Sequence, residues 1–266
     1  MASTASDFSG PRWYDEQLVP VTFGAFAGEL AARVPPAPAG PVLEIACGTG
    51  VVTRALRQRL GAACALVATD LSPAMLDYAR ERLRDHSNVT WQVADMQRLP
   101  FSDGRFAAVV CSFGFMFASD RAAALAEARR VLAQDGTLCF SVWDRIEANP
   151  HALAFAELME GMFPDDPQMR FRTPYEMHDA AQLRTLVEAA GFREVAVEVQ
   201  RKPIAGVDPA ALASGQIRGT PRGALLVERG VSLERTVDDL TAALVRQGGS
   251  PYQGQAQALL VQARAG

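Results

Sequence analysis

The chain has 266 residues, which at ~150 residues per domain allows one large domain or one domain with a small cap. Hydrophobic residues make up 49% of it, enough for a sizeable core, and a net charge of -4 with dispersed acids excludes a basic nucleic-acid footprint as well as an acidic tail. Of the four cysteines, Cys47, Cys64, Cys111 and Cys139, none forms a CxxC pair or a zinc spacing, and three lie in apolar strand-like runs where free cysteine acts as a small hydrophobe.

The N-terminal stretch Met1–Gly10 is small and polar and lacks the apolar core of a secretory leader. No run approaches the ~18 apolar residues of a membrane span. These features predict a cytoplasmic protein with reduced cysteines. Lys202 is the only lysine among many arginines and alanines, a bias that suggests a GC-rich bacterial genome and leaves little room for lysine-based chemistry.

In chain order, residues 12–34 read as helix with a break at Pro20, and the proline-rich run 35–41 ends it. Val42–Ala46 is an apolar strand running into glycines, followed by a helix over Val51–Leu60 and a strand over Ala65–Thr69. Ser72-Pro73 offers an N-cap and a first-turn proline for a helix to about Arg84. Strands follow at Val89–Val93 and Phe106–Cys111, then a helix at Ala122–Leu132, the turn Asp135-Gly136 and a strand at Thr137–Trp143. Asp179 and Gln182 form a capping pair for a helix to Ala190, which Gly191 stops. Glu194–Gln200 alternates as an edge strand does, and Gln255–Ala263 reads as the last strand. Strands alternating with helices imply an α/β fold with a mostly parallel sheet and helices on both faces. The stretches Asp144–Met177 and Asp208–Gly249 break that rhythm, the latter with helix openings at Asp208-Pro209 and Ser232. Together with the N-terminal helix they are expected to cap the site. The domain reading is a single domain over 1–266, with a ligand-binding core at about 41–143 and cap segments at about 12–34, 144–178 and 207–250.

The sharpest chemical signal is Glu44-Ile45-Ala46-Cys47-Gly48-Thr49-Gly50, between a strand and a helix. Gly48 and Gly50 permit a tight turn and close approach of backbone to a ligand, at the strand ends where open α/β sheets bind their ligands. A plain structural turn is the competing reading, and Thr69-Asp70 weighs against it. That pair closes the second strand ~20 residues on, where a ribose-binding acid belongs, and Ser72 already takes the cap role. A nicotinamide site uses the same geometry, but its G-x-G-x-x-G pattern fails at Thr53, and no tyrosine–lysine pair follows.

The run Val42–Gly50 resembles motif I of the class I S-adenosylmethionine-dependent methyltransferases. Asp70-Leu71-Ser72-Pro73-Ala74-Met75-Leu76 resembles their second motif, Ala94-Asp95-Met96 with Leu99-Pro100-Phe101 the third, and Phe106–Cys111 the fourth. Arg129–Leu132 through Gly136-Thr137-Leu138 is similar to the helix and turn before their fifth strand, and Ala189-Ala190-Gly191-Phe192 adds a further echo. The subgroup resembled is the ubiquinone/menaquinone methyltransferase-like enzymes. The resemblance implies a Rossmann-like, seven-stranded, mostly parallel sheet with an antiparallel last strand, and S-adenosyl-L-methionine as cofactor. It further implies that Glu44, Ala46, Gly48 and Gly50 surround the methionine part, that Asp70 meets both ribose hydroxyls, and that Met75, beside Leu71, packs near the adenine. Asp95 would meet the adenine amino group, the Met96 amide a ring nitrogen, and Cys111, Ser112 and Phe113 the floor beneath the sulfonium.

The reaction expected is methyl transfer to oxygen, nitrogen or carbon of a small, partly apolar molecule. A different reaction on the same cofactor, such as a cyclisation, or a non-catalytic cofactor sensor, uses the same motifs. A general base is needed only if the nucleophile must lose a proton. Among His86, His151 and His178, His151 is best placed after the fifth strand, whereas His86 reads as solvent-facing and His178 as a local partner of a helix start. Tyr14, Asp144, Glu147, Tyr175 and Arg218 are further candidates. Trp13, Tyr14, Phe113, Phe115 and Trp143, with Met116 and Phe117, could wall a planar substrate, although the 115–117 run reads equally well as core. No metal site is expected, and the sequence leaves the oligomeric state open.

Overall fold

The structure is a computed structural model that describes residues 10–266; all but the last residue of the N-terminal stretch read above for a leader lie outside them. In chain order, a short helical turn at Pro11–Trp13 runs into a π-helix at Tyr14–Leu18. Then come α1 (Gly24–Ala32), β1 (Val42–Ile45), α2 (Val51–Arg59), β2 (Leu66–Asp70), α3 (Pro73–Arg82), β3 (Val89–Val93), β4 (Phe106–Ser112), α4 (Arg121–Val131) and β5 (Leu132–Trp143). The rest is α5 (Pro150–Met162), α6 (Ala180–Ala189), β6 (Phe192–Val207), α7 (Pro209–Arg218), α8 (Pro221–Glu228), α9 (Leu233–Gly248) and β7 (Tyr252–Ala265). The seven strands form one sheet in the order β3-β2-β1-β4-β5-β7-β6. Strands β1 to β5 pair in parallel, and β7 runs antiparallel to β5. The expected fold class is the observed one.

The helix caps follow the sequence signals. Ser72 Oγ accepts from the Met75 N–H at 3.4 Å with Pro73 in the first turn, Asp179 Oδ1 accepts from Ala181 and Gln182, and Gly191 takes φ +90°. Element ends differ where pairing, not pattern, sets them. The fifth strand begins at Leu132 rather than at Thr137, because Phe106 pairs with Leu132 before a bulge. The sixth runs over 192–207, beyond the alternating stretch 194–200, and it accommodates Pro203 because it stands at the sheet edge. The helix expected over 12–34 is interrupted across 19–23, where Pro20 lacks the N–H that an unbroken helix needs.

The chain divides into two compact units. The sheet unit comprises Phe26–Arg145, Pro174–Gln200 and Ala258–Gly266. Leu30 and Ala31 of α1 and Val52 and Leu56 of α2 pack with Val42 and Val110 of the sheet, all buried. Each large aliphatic side chain buried in this way contributes roughly 1.5–3 kcal/mol. Leu76 of α3 packs with Ala68 and Cys47 in a second, smaller cluster. The helical unit comprises the described residues up to Ala25, then Ile146–Thr173 and Arg201–Gln257. Within it α9 packs on α7 and α5, and α7 on the π-helix. Buried Asn149 clamps the Gln257 backbone in both directions, donating to its carbonyl at 3.0 Å and accepting from its N–H at 2.8 Å. No helix among the described residues is long and apolar enough to cross a membrane.

One carboxyl sits in the centre of the sheet. The two-residue period of β1 puts Glu44 on the same face as Val42, under α2, where it is 1% exposed. Thr53 Oγ1, from the first turn of α2, donates to Glu44 Oε2 at 2.6 Å. Burial pushes the Glu44 pKa up to about 8, the Thr53 hydrogen bond only partly opposing it. The folded chain therefore holds a proton there that the unfolded chain releases above about pH 4.5. Stability contributed by this group is accordingly lost as pH rises from about 4.5 to about 8. Glu44→Gln keeps an acceptor for Thr53 and removes the charge. Denaturant unfolding of the cofactor-free protein from pH 5 to 9 should show the variant gaining on the parent with rising pH, by a few kcal/mol at the alkaline end. Parallel pH profiles would contradict the buried-proton account.

Candidate cofactor site

The site is built in the sheet unit from the carboxyl ends of β1, β2 and β4 and the turn after β3. Beyond β1 the backbone turns through Ala46 (φ +54°), Gly48 (φ +54°) and Gly50 (φ +86°). Ala46 is a non-glycine residue in left-handed geometry, a costly conformation that concentrates at functional turns. The loop is fastened to β2 by the Cys47 N–H donating to the Thr69 carbonyl at 2.9 Å. A Cβ on Gly48 would meet nothing within 4 Å, so the space beside this turn is open.

Asp70, the last residue of β2, faces that opening. Its Oδ2 accepts from the Gly48 N–H at 2.8 Å and its Oδ1 from the Ser72 N–H at 2.9 Å. An ionised carboxylate has about four acceptor positions, so two remain for a ligand's donors. The adjoining Thr49 Oγ1 is buried without a hydrogen-bond partner among the described residues. Open glycine backbone, a half-used carboxylate and an orphaned hydroxyl together fit a ligand with a vicinal diol and polar termini. They fit S-adenosylmethionine, whose ribose and amino-acid ends are of that kind.

Asp95 belongs to the same constellation. The Ala94 N–H donates to the Asp70 carbonyl at 3.0 Å, which sets the turn after β3 against the end of β2. Asp95 Oδ1 accepts from the Gln97 N–H at 2.9 Å, organising the turn. The fourth segment is wedged in at Gly114, where an added Cβ would stand 2.6 Å from both Ala46 Cβ and Cys111 Sγ and 3.6 Å from Met96 Cε. Phe113 is held at φ +53°, with its N–H donating to the Ser141 carbonyl at 2.9 Å. Glu44, Ala46, Gly48, Gly50, Asp70, Asp95, Met96, Cys111 and Ser112 are thus brought to one end of the sheet. Leu71 is 68% exposed there and Met75 half-buried in the first turn of α3.

Phe113 stacks on Trp143 with ring centroids 4.1 Å apart; Phe26 meets both edge-on, and Tyr175 stacks on Trp143 at 6.1 Å. Phe115 is wholly buried edge-to-face on Phe140, which makes it core, and Phe117 is exposed. Burial pushes the Cys111 thiol up to about 12 and holds the Cys47 thiol and the Tyr175 phenol well above their ordinary values, so none of them is ionised at neutral pH. His178 Nδ1 lies 2.7 Å from the Tyr175 carbonyl, a local tie to the preceding turn rather than to the helix start, which Asp179 caps. Trp13, Tyr14 and His151 belong to the helical unit. There Arg218 lies over the Trp13 ring at 5.1 Å and Tyr14 tilts on Phe23 at 5.2 Å. His151 lies in the first turn of α5 and is 2% exposed.

Sequence reasoning missed Thr53, Thr49 and Gly114. Thr53 registered only as the residue in the third glycine's place, although its spacing from Gly50 already put it in the first turn of the helix above Glu44. Gly114 carries no signal of its own, because its tightness comes from residues distant in sequence.

The family profile described as a methyltransferase domain matches residues 42–136. A ubiquinone/menaquinone biosynthesis C-methyltransferase of Citrifermentans bemidjiense is 37% identical over 102 residues, which cover 37% of this chain and 43% of that protein. The enzyme of the same description from Burkholderia mallei is 34% identical over 168 residues, covering 59% of this chain and 69% of its own length. Among solved structures, a Haemonchus contortus phosphoethanolamine N-methyltransferase in complex with S-adenosyl-L-methionine superposes with a TM-score of 0.61 at 16% identity, over 98% of this chain and 57% of that one. The turn at Gly48, the acid at Asp70 and these relatives agree: the chain belongs to the class I S-adenosylmethionine-dependent methyltransferases, in the group similar to the ubiquinone/menaquinone enzymes, and S-adenosylmethionine is its cofactor.

Proposed function

We propose that the protein transfers a methyl group to a small, partly apolar molecule carrying an aromatic ring, with a ring carbon of a quinol as the first acceptor to test. The half-engaged Asp70 carboxylate beside the open backbone of Gly48 carries this reading, because its spare acceptors fit a ribose diol. The curated relatives of both organisms are C-methyltransferases, which favours carbon over oxygen or nitrogen. The net charge of -4 disfavours a nucleic-acid acceptor, and the four unpaired cysteines suit a cytoplasmic setting.

The cofactor supplies a methyl on positively charged sulfur, already activated for displacement. The chain's part is to hold, orient and keep dry. Asp70 is assigned to the two ribose hydroxyls, and Glu44, Ala46, Gly48 and Gly50 to the methionine portion. Leu71 and Met75 are assigned to the adenine face, and Asp95 with the Met96 amide to the adenine edge. Cys111 and Ser112 form the floor; as a neutral thiol, Cys111 is unlike a competing nucleophile. For the acceptor we assign Phe113 and Trp143, whose stacked rings belong to the sheet unit. Productive transfer needs the nucleophilic atom ~3–3.5 Å from the methyl carbon and in line with the departing bond, so precise placement by these walls is the main catalytic contribution.

Asp70→Ala should weaken binding of S-adenosylhomocysteine by roughly 10- to 100-fold, the scale of ~1–3 kcal/mol for lost hydrogen bonds to a charged group. Titration calorimetry checks this, and an unchanged affinity contradicts the ribose assignment. Methyl-labelled cofactor incubated with reduced naphthoquinones should leave label on a ring carbon, identified by mass spectrometry. Cofactor binding without label in any product of a broad small-molecule pool would point instead to a sensor or another reaction.

A further inference from the structure

Besides Arg222 Nε on α8, the helical unit holds three buried polar atoms without a hydrogen-bond partner among the described residues: Gln17 Oε1, His151 Nδ1 and Gln216 Oε1. They come from the π-helix, α5 and α7, which are tied together at this point. Gln216 Nε2 donates to the His151 carbonyl at 3.0 Å. Gly215 leaves no room for a Cβ, which would stand 3.0–3.1 Å from the backbone and Cβ of Gln17. His151 is 2% and Gln216 3% exposed.

All three atoms are acceptors. The bond from Gln216 Nε2 fixes which end of that amide is oxygen. The His151 ring is hydrogen-bonded to the Gln255 backbone in the sense that favours its charged form, so it donates to that carbonyl. Since Nδ1 is the unpartnered nitrogen, the donor is Nε2, and Nδ1 of the neutral ring presents a lone pair. Burial keeps the ring neutral, its pKa lowered to about 4. Buried acceptors without donors are rare in folded proteins, and each asks for a ligand or an ordered water. π-Helical turns, such as the one carrying Gln17, concentrate at functional sites.

We infer that Gln17, His151 and Gln216 form a binding site for the hydroxyl group of a phenolic ligand. Unpartnered acceptors favour a ligand that brings an O–H, which donates to one of them, over an ether or carbonyl at the same place. Trp13 and Tyr14, on the helical turns just ahead of Gln17, supply aromatic surface for the ring of such a molecule. The hydrogen-bonding preference belongs to the helical unit and stands independently of the proposed reaction.

The test uses full-length protein and a matched pair of probes, 1-naphthol and 1-methoxynaphthalene, which differ in the one hydrogen-bond donor. Calorimetry should give at least tenfold tighter binding of 1-naphthol, and nitrogen-15 NMR should show the His151 Nδ1 resonance moving with 1-naphthol alone. In Gln17→Met and Gln216→Met the preference should fall below twofold. Gln17→Met removes an acceptor that bonds to nothing in the protein, so it keeps the test sharp if Gln216→Met fails to fold. Should neither variant fold, the His151 resonance in the parent protein decides. Equal binding of both probes, a preference that survives both substitutions, or an unmoved His151 resonance would overturn the inference and leave the three atoms to an ordered water. Label transfer from the cofactor is a separate readout. Its failure beside a clear naphthol preference would sink the proposed reaction and spare this site, and the reverse pattern would do the opposite.

Discussion

The structure of the cofactor site depends on how one carboxylate divides its hydrogen bonds. Asp70 uses one oxygen on the Gly48 N–H and the other on the Ser72 N–H, and so joins the loop after β1 to the start of α3. Had backbone amides taken all its lone pairs, it would be only a cap. Had it none, the glycine loop would have no fixed partner at the end of β2. The arrangement leaves a pre-positioned anion with spare acceptors next to a glycine whose missing side chain leaves open space.

The surrounding residues make that division possible. Gly114 lets the segment after β4 press on Ala46 and Cys111, and the strained φ values of Ala46 and Phe113 are held by this packing and by hydrogen bonds to β2 and β5. Beneath the loop, Glu44 is kept protonated by burial and accepts from Thr53, so a second negative charge close to Asp70 is avoided in the unliganded protein.

Much of this was legible in the sequence because it is written locally. The apolar run ending at Gly48 and Gly50, the acid closing the next strand, and the caps at Ser72, Asp179, Asp208 and Ser232 are all short-range signals, and each appears in the structure where it was read. What was not legible depends on residues far apart in the chain. The length of β6 and the early start of β5 follow from strand pairing, the burial of Phe115 from Phe140, and the burial of His151 from α7 and the segment around Gln255. Thr53 was read by what it was not, a glycine, because the residue it serves lies on another element. The unpartnered amide oxygens of Gln17 and Gln216 carry no sequence signal at all: a glutamine in a helix is ordinarily a solvated one.

The central claim is the seat of the cofactor at Asp70 and Gly48. A crystal structure of the full-length protein with S-adenosylhomocysteine tests it most directly. The account predicts both ribose hydroxyls on the Asp70 carboxylate and the amino-acid end against the backbone of residues 46–50. A nucleoside bound away from the ends of β1 and β2, with Asp70 still engaged only by its two amides, would contradict it.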